Sequence, residues 1–294
     1  MLNLHLVRIF IAVVEQGSFT RAAEALRISQ SAVSRGVQEL ERQLDTALID
    51  RWQRGITLTE AGAILAAHAR QIFALERAAE TALAELRGLE HGHLAIGASS
   101  TIGIYILPPL LGDFHQHYPG IELFLDIGNT QQIVAHLLAH QLDIAFVEGP
   151  TDAPELVVKP WRADELVVIA APTHPLAQRE TVGITDLAGV PFILREPGSG
   201  TREVMESALA EHMVSISVAM ELGSTEAVKQ AVAAGLGLSI VSTATIQLEL
   251  AQRRLVILPV AGLMIKRVLS CVQLVQRPKS RALNAWLTFA KLPC

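Results

Sequence analysis

The chain has 294 residues, half of them apolar, 18% charged and 4% aromatic, with a formal charge of −5. That length predicts about two domains, and that apolar content excludes a disordered chain. Two cysteines, Cys271 and Cys294, exclude a disulfide framework or a cysteine metal motif.

The longest charge-free stretches, 91–112 and 230–248, are broken by proline, glycine and hydroxyl residues and do not read as membrane spans. Arg8 and Glu15 interrupt the N-terminal apolar residues, so no signal pattern is read there. The expectation is a cytoplasmic protein with no membrane partner. Net acidity argues against a nucleic-acid partner, but charge is not uniform along the chain. Residues 1–58 hold seven arginines against six acids, a local net of +1, and no lysine precedes Lys159.

Leu6, Ile9, Phe10 and Val13 recur at helical spacing, with Gly17 placed to close that helix. Ser18 opens a short second helix through Ala22, Ala23 and Leu26, where paired alanines suit a close helix–helix approach. After Arg27-Ile28-Ser29, Ser29 is placed to cap a third helix from Gln30 to Leu44. Val33, Val37, Leu40 and Leu44 form its apolar stripe. Ser31, Arg35, Gln38 and Arg42 lie opposite, Ser34 on the flank and Gln30 in the exposed first turn. Gly36 reads as a glycine in an exposed helix, costing about 1 kcal/mol relative to alanine. This is the pattern of a helix-turn-helix whose Gln and Arg side chains read base edges while Ser binds phosphate or bases. The same periodicity also fits a small helical bundle whose polar face meets only water. Arg51 to Thr59 predicts a short basic hairpin, a wing with Arg54 available to the minor groove or backbone.

Three blocks, Ser18-Phe19-Thr20-Arg21-Ala22-Ala23-Glu24-Ala25-Leu26, Ser29-Gln30-Ser31-Ala32-Val33-Ser34-Arg35 and Leu58-Thr59-Glu60-Ala61-Gly62, resemble the winged helix-turn-helix of LysR-type transcriptional regulators. The resemblance implies that Gln30, Ser31, Ser34 and Arg35 meet double-stranded promoter DNA in the major groove and that Arg54 serves the wing; Gln38 joins them by its place on the same polar face. Ser31 departs from a common Pro, Ile49 from a usual Phe, and Gly36 is an unusual interruption of the recognition helix.

Thr59 to Leu89 predicts one long helix. Leu65, Ile72, Ala79 and Leu86 recur every seven residues, with His68, Leu75, Ala82 and Leu89 three further on. This seam predicts packing on a second copy and resembles the family's dimerisation linker. A homodimer or homotetramer follows from the resemblance, with RNA polymerase a further candidate partner.

From His93 the pattern alternates strand and helix, with strands at 93–97, 121–127, 142–147, 165–171, 192–194 and 238–241. Repeated βα units predict parallel sheets in two lobes, with ligands beyond the carboxyl ends of the strands. Those ends carry Ser99, Ser100, Thr101, Thr130, Ser199, Thr201, Ser224 and Thr225. Each hydroxyl is also a good helix cap, and only their recurrence favours a shared cleft. Arg195-Glu196-Pro197-Gly198-Ser199-Gly200-Thr201-Arg202 combines two glycines with a helix start, an anion-site pattern in which Arg202 or Arg195 supplies the charge. A Gly-rich turn with a capped helix explains the same residues. The Gly-Lys-Ser/Thr ending of a Walker loop is missing.

Leu107-Pro108-Pro109-Leu110-Leu111, Tyr118-Pro119-Gly120-Ile121 and Val232-Ala233-Ala234-Gly235-Leu236-Gly237 extend the LysR-type resemblance over nearly the whole chain. It implies a two-lobed effector domain resembling periplasmic binding proteins, loosely similar to regulators of carbon fixation and of sulfur or cysteine metabolism. By that resemblance Ser99, Thr101, Thr130, Ser199, Thr201 and Ser224 are cleft residues; with Ser100 and the Gly198, Gly200 and Arg202 of the anion-site pattern they make up the expected site for a small anionic effector. His140 stands where the family commonly has Gly.

The expected α/β architecture is a winged helix-turn-helix at 1–58, a linker helix at 59–89 and an effector domain at 90–294. Its first lobe takes in 92–163 and 266–294, and its second 164–265. No catalytic constellation, cofactor motif or metal set is read; His91/His93 and His115/His117 lack further ligands. The alternatives are a two-lobed solute-binding protein, disfavoured by the N-terminal helices, and an enzyme of the same fold.

Overall fold

Side-chain caps set the start of the three N-terminal helices. Asn3 accepts the N–H groups of His5 and Leu6 at 3.0 and 3.3 Å and opens α1 (Leu4–Gln16). Ser18 accepts from Arg21 at 3.5 Å ahead of α2 (Phe19–Leu26), and Ser29 from Ala32 at 3.2 Å ahead of α3 (Gln30–Leu44). Each satisfies an otherwise orphaned donor and is worth about 1 kcal/mol. Ser18, Ser29 and the closing Gly17 stand where the pattern predicts them; Asn3 is an additional cap. The computed structural model that carries these contacts describes residues 2–50, 56–85, 92–275 and 279–292. Its chain divides into two compact units, 1–80 and 81–294.

In the first unit Val7, Phe10 and Val13 of α1 pack with Ala22 and Ala23 of α2 and Val33, Val37 and Leu40 of α3. Two expectations change. Leu44 is exposed, because α3 ends there with Asp45 in the left-handed region. Gly36 is buried rather than solvent-facing, and a Cβ there would lie 2.8 Å from Ile9 Cδ1. The Ile9 side chain of α1 occupies the space a side chain at 36 would take.

The antiparallel pair β1 (Ile49–Asp50) and β2 (Thr57–Leu58) forms the base of the expected wing. Its tip, Arg54 included, lies outside the described residues. Thr59 Oγ1 donates to Ala47 O at 2.7 Å and accepts from Gly62 N at 3.0 Å, which starts α4 (Glu60–Glu85). Ala66, Ala69 and Phe73 of α4 join the α1 core, and Arg8 stacks 4.5 Å over the Phe73 ring. Along the expected seam, Leu65 packs on that core and Ile72 is half-buried, whereas His68, Leu75 and Ala79 are exposed. Leu86 and Leu89, like the side chain of Ala82, lie outside the described residues.

The second unit begins with β3 (Gly92–Ser99), a π-helical turn at Ile102–Ile106 and α5 (Leu107–His117). Next come β4 (Ile121–Gly128), α6 (Thr130–Leu138), β5 (Ile144–Glu148) and β6 (Leu156–Ala170). Then follow β7 (Val182–Gly183), β8 (Pro191–Arg195), α7 (Gly200–Glu211), β9 (Ser217–Leu222), α8 (Thr225–Ala233) and β10 (Ser239–Ser242). The chain closes through α9 (Gln247–Ala251), β11 (Val256–Leu258), β12 (Val260–Ala261), β13 (Ile265–Leu274) and α10 (Arg281–Phe289).

The parallel βα units exist, as β4-β3-β5 in one lobe and β8-β9 in the other. The parallel-sheet expectation fails between them. Long strands β6 and β13 run antiparallel, and β6 also pairs antiparallel with β10 and β11. The sheet order is therefore β10-β6-β13-β5-β3-β4. A bulge falls where Leu269 faces Arg162 and Ser270 faces Pro160; the proline lacks a ladder donor, and Trp161 turns onto Phe146, ring centroids 4.7 Å apart.

The first lobe's core gathers Leu94, Ile96, Phe114, Phe146 and Trp286, with Trp286 edge-on to Phe114 at 5.1 Å. The second lobe's gathers Leu166, Phe192, Leu194, Met205 and Ile240. His140 follows α6 at φ +58°, a left-handed position, which is the physical reason for glycine at such a site.

Gly36→Leu should destabilise the first unit by about 1–3 kcal/mol through overpacking on Ile9. Urea unfolding should show that loss, and Ile9→Ala in the same chain should recover part of it.

Candidate functional site

The polar side of α3 is built by what its other side buries. With Val33, Val37 and Leu40 in the core, Gln30, Ser31, Arg35 and Gln38 are exposed and Ser34 is half-buried. Arg35 Nε donates to Ser31 O at 3.3 Å, and Ser31 Oγ lies 3.0 Å from Ser29 Oγ. These are weak local contacts that an incoming acceptor replaces. Arg42, two turns on from Arg35, is engaged by the Glu39 carboxylate at 2.6 and 2.8 Å. The Arg42 and Gln43 hydrogen bonds hold the Glu39 carboxyl down to about 2. Arg35 has no carboxylate partner among the described residues.

In the second unit three of the predicted hydroxyls, Ser100, Thr130 and Thr201, lie where the two lobes touch. Ser99 ends β3, Thr101 lies two residues on, Thr130 starts α6, and Ser199 and Thr201 flank the start of α7; all five are buried. Thr130 Oγ1 donates to Glu148 O at 2.7 Å, and Gln131 N donates to Gly198 O at 3.2 Å, a backbone bond from lobe to lobe. A Cβ on Gly200 would stand 1.7 Å from Glu148 O, so this approach needs glycine. Ser99 Oγ is buried with no hydrogen-bond partner among the described residues.

The block's two arginines diverge. Arg195 is buried at the lobe contact. Its Nε and Nη2 grip the Glu196 carboxylate at 2.7 and 2.8 Å, Nη1 donates to Thr225 Oγ1 at 2.7 Å, and Nη2 donates across the lobes to Ser100 Oγ at 3.4 Å. Arg202 is half-buried and is taken up by Glu206 and Glu221 at 2.8 and 2.6 Å, while its Nη1 also donates to Arg195 O at 2.9 Å. Ser224 also departs from the cleft reading. It is exposed and caps α8 by accepting from Ala227 N at 3.1 Å, while Thr225 beside it is the buried hydroxyl.

Sequence reasoning missed Arg267. Its Nε donates to Asp164 Oδ2 at 2.7 Å, its Nη1 to Thr201 Oγ1 at 3.0 Å, and its Nη2 pairs with Glu148. Asp164 also accepts from Ser242 Oγ at 2.7 Å. The missed signal is alternation: Arg267 is in phase with the buried Ile265 and Leu269. Beside this cluster lies a groove of about 460 Å³ lined by Ile106, Arg162, Asp164, Thr243, Gln247 and Lys266. A third buried cation, Lys229, meets Glu226 and Glu249 at 2.7 and 2.8 Å, and the Tyr105 hydroxyl donates to Glu226 across the lobes.

Among the described residues no group of three or more His, Cys, Asp or Glu is arranged to hold a metal, and no helix is long and apolar enough to cross a membrane.

Residues 4–63 match the bacterial regulatory helix-turn-helix protein, lysR family, and residues 87–292 match the LysR substrate binding domain. The chain is 40% identical to the HTH-type transcriptional regulator YeiE of Escherichia coli K12 over 290 residues, 98% of this chain and 97% of that one. It is 39% identical to CysL of Bacillus subtilis over 90% of this chain and 89% of that protein. The regulatory domain of CcmR from Synechocystis, solved in complex with 2-PG, superposes with a TM-score of 0.64 at 37% identity, covering 68% of this chain and 96% of that one. Full-length CbnR in complex with its target DNA shares the fold, with a TM-score of 0.71 at 23% identity over 98% of this chain and 99% of that one.

Truncating Arg267 should leave two buried carboxylates uncompensated. Arg267→Ala is expected to cost the effector domain about 3–5 kcal/mol, read as a lower denaturant midpoint for that domain's transition.

Proposed function

The chain belongs to the LysR family of DNA-binding transcriptional regulators, and from that premise we propose how its residues do the work. Two copies pair along α4, where Leu75 and Leu83 are 58% and 65% exposed, and pairs assemble further into tetramers. Each copy sets α3 in a major groove of a pseudo-palindromic promoter site. Gln30, Arg35 and Gln38 read base edges, Ser31 and Ser34 bind bases or phosphate, and Arg54 of the wing reaches the adjacent backbone or minor groove. Residues 1–58 read DNA, 59–89 link the copies, and the lobes 92–163 with 266–294 and 164–265 sense a metabolite. RNA polymerase is the partner through which promoter occupancy becomes transcription.

The sensed molecule is a small anion held at the lobe contact. The observation that carries this is Arg195, a buried cation bonded to hydroxyls of both lobes. Ser99, Ser100, Thr101, Thr130, Ser199 and Thr201 offer hydroxyls around it, and Gly198 and Gly200 bring backbone close. Arg202, committed to Glu206 and Glu221, and Ser224, exposed as a helix cap, frame the rim without holding the ligand. The 2-PG complex of the similar CcmR domain supports a small-metabolite ligand. We read the cleft as a sensor without catalytic chemistry: its buried carboxylates, Glu148 and Asp164, are both committed to Arg267. Ligand binding shifts the lobes between arrangements and thereby changes how the assembled copies sit on, and bend, DNA.

Arg35→Ala should weaken specific promoter binding by about 1–3 kcal/mol, or roughly tenfold to a hundredfold, with unfolding behaviour unchanged. An unaltered footprint would remove α3 from the groove.

Ser99→Ala should leave the fold as stable as before, because its hydroxyl has no partner to lose. The same variant should bind more weakly whichever anion raises the wild-type melting temperature in a panel of phosphate, sulfate, sulfite, sugar phosphates and 2-PG. Equal calorimetric affinity would take Ser99 out of the site.

A further inference from the structure

Two buried arginines meet the lobe contact, and their counter-ions differ in kind. Arg267 is held by Glu148 and Asp164, whose side chains are 2% and 5% exposed and come from separate strands. Those carboxylates have no route out without unfolding the sheet. Arg195 is held by Glu196, its immediate neighbour in sequence, whose side chain is 23% exposed. Glu196 precedes Pro197 and Gly198 and can leave by rotating its own side-chain torsions into solvent while the backbone of β8 stays paired.

We propose that the Glu196 carboxylate is a built-in occupant of the anion subsite on Arg195, and that an effector binds by displacing it. The inference rests on the effector reading above and adds the step by which the ligand enters. The two Glu196 oxygens lie against Nε and Nη2 at 2.7 and 2.8 Å. This paired grip is the arrangement a ligand carboxylate, phosphate or sulfonate takes on a guanidinium fork. The rest of the cradle is already in place: Thr225 sits on Nη1 at 2.7 Å and Ser100 on Nη2 at 3.4 Å.

Glu196 also imitates a ligand in bridging the lobes. Its Oε1 accepts from Asn129 Nδ2 at 3.3 Å, and Asn129 is the residue that caps α6 in the other lobe. Without effector, this one carboxylate neutralises Arg195 and contributes a bond from lobe to lobe. With effector, the ligand takes both contacts and Glu196 moves to water.

The device filters ligands. A tethered carboxylate competes at an effective concentration far above that of a dilute metabolite, so one charged group alone does not win the subsite. An oxyanion with further polar groups, placed to use the unpartnered Ser99 hydroxyl, gains bonds that Glu196 does not make.

Isothermal titration of the full-length chain tests this with acetate, inorganic phosphate, sulfate and 2-PG as probes. The proteins compared are wild type, Glu196→Gln, and Glu196→Gln combined with Arg195→Met. Glu196→Gln should bind at least one probe about tenfold or more tightly than wild type, and the Arg195→Met combination should lose that gain. Thermal unfolding supplies a second readout. Glu196→Gln should melt lower than wild type without probe and gain more in melting temperature with it. Glu196→Asp, with the charge on a shorter arm, should fall between the two if Glu196→Gln is too unstable to titrate. Wild-type binding that is unchanged or weaker in Glu196→Gln, or a gain that survives loss of Arg195, overturns the displacement step and leaves the effector reading standing. Failure of every probe on every variant overturns the anion-effector reading, and this inference with it.

Discussion

The second unit is organised by the need to satisfy one buried guanidinium. Taking Arg267 out of water costs several kcal/mol, and an arginine has no neutral form to fall back on. The cost is offset only if acceptors surround it, and those acceptors come from three separate elements. Glu148 ends β5, Asp164 lies midway along β6, and Thr201 opens α7. Satisfying Arg267 therefore locks β13 beside β6 and brings the start of the second lobe's helix to the end of the first lobe's strand. The Gly200 approach to Glu148 O, the Thr130 bond to the same oxygen and the Gln131–Gly198 backbone bond all lie along the seam this creates.

The first unit solves a different problem, how to leave one side of a short helix bare. Its α3 buries Val33, Val37 and Leu40 on a small core, and the glycine at 36 lets α1 approach closely enough to fill that core with Ile9. What α1 does not cover stays polar. The glycine that looks like a weakness in an exposed helix is thus part of the packing. Its propensity cost, about 1 kcal/mol, is offset by the apolar contact it permits.

Local signals were legible in the sequence and long-range ones were not. Ser18, Ser29 and Gly17 act on groups within a few residues, so pattern reading places α1, α2 and α3 correctly. Strand β6 was seen only from Glu165 onward, because Lys159, Pro160, Arg162 and Asp164 break its apolar run. What makes that half a strand is its partner β13, about a hundred residues later. The candidate cleft was legible as a recurrence of hydroxyls after strands, but not in its orientations. Whether Ser224 or Thr225 points inward is a one-residue matter of helix phase. Whether Arg195 or Arg202 stays at the lobe contact depends on where Glu206 and Glu221 lie. Arg267 was legible in principle, as the one charged residue in phase with Ile265 and Leu269, but it lies inside a strand rather than at the strand ends where ligands bind.

Net charge misled for a related reason, since it sums groups that do not share a field. At physiological salt the screening length is about 8 Å, so a phosphate near α3 responds to the few charges beside it. Of the two acids on α3, Glu39 is taken up by Arg42. Glu41 accepts the backbone N–H groups of Leu48 and Ile49 at 2.9 and 3.3 Å, at the base of the β1–β2 pair. Among the described residues that leaves Arg35 without a carboxylate partner beside Gln30, Ser31, Ser34 and Gln38. A chain of net −5 thereby presents a locally positive face, and it does so by pairing its nearby acids rather than by accumulating lysines and arginines. Affinity built this way rests on few phosphate neutralisations and leaves more of the discrimination to base contacts, which suits a reader of specific sites better than a general binder of DNA.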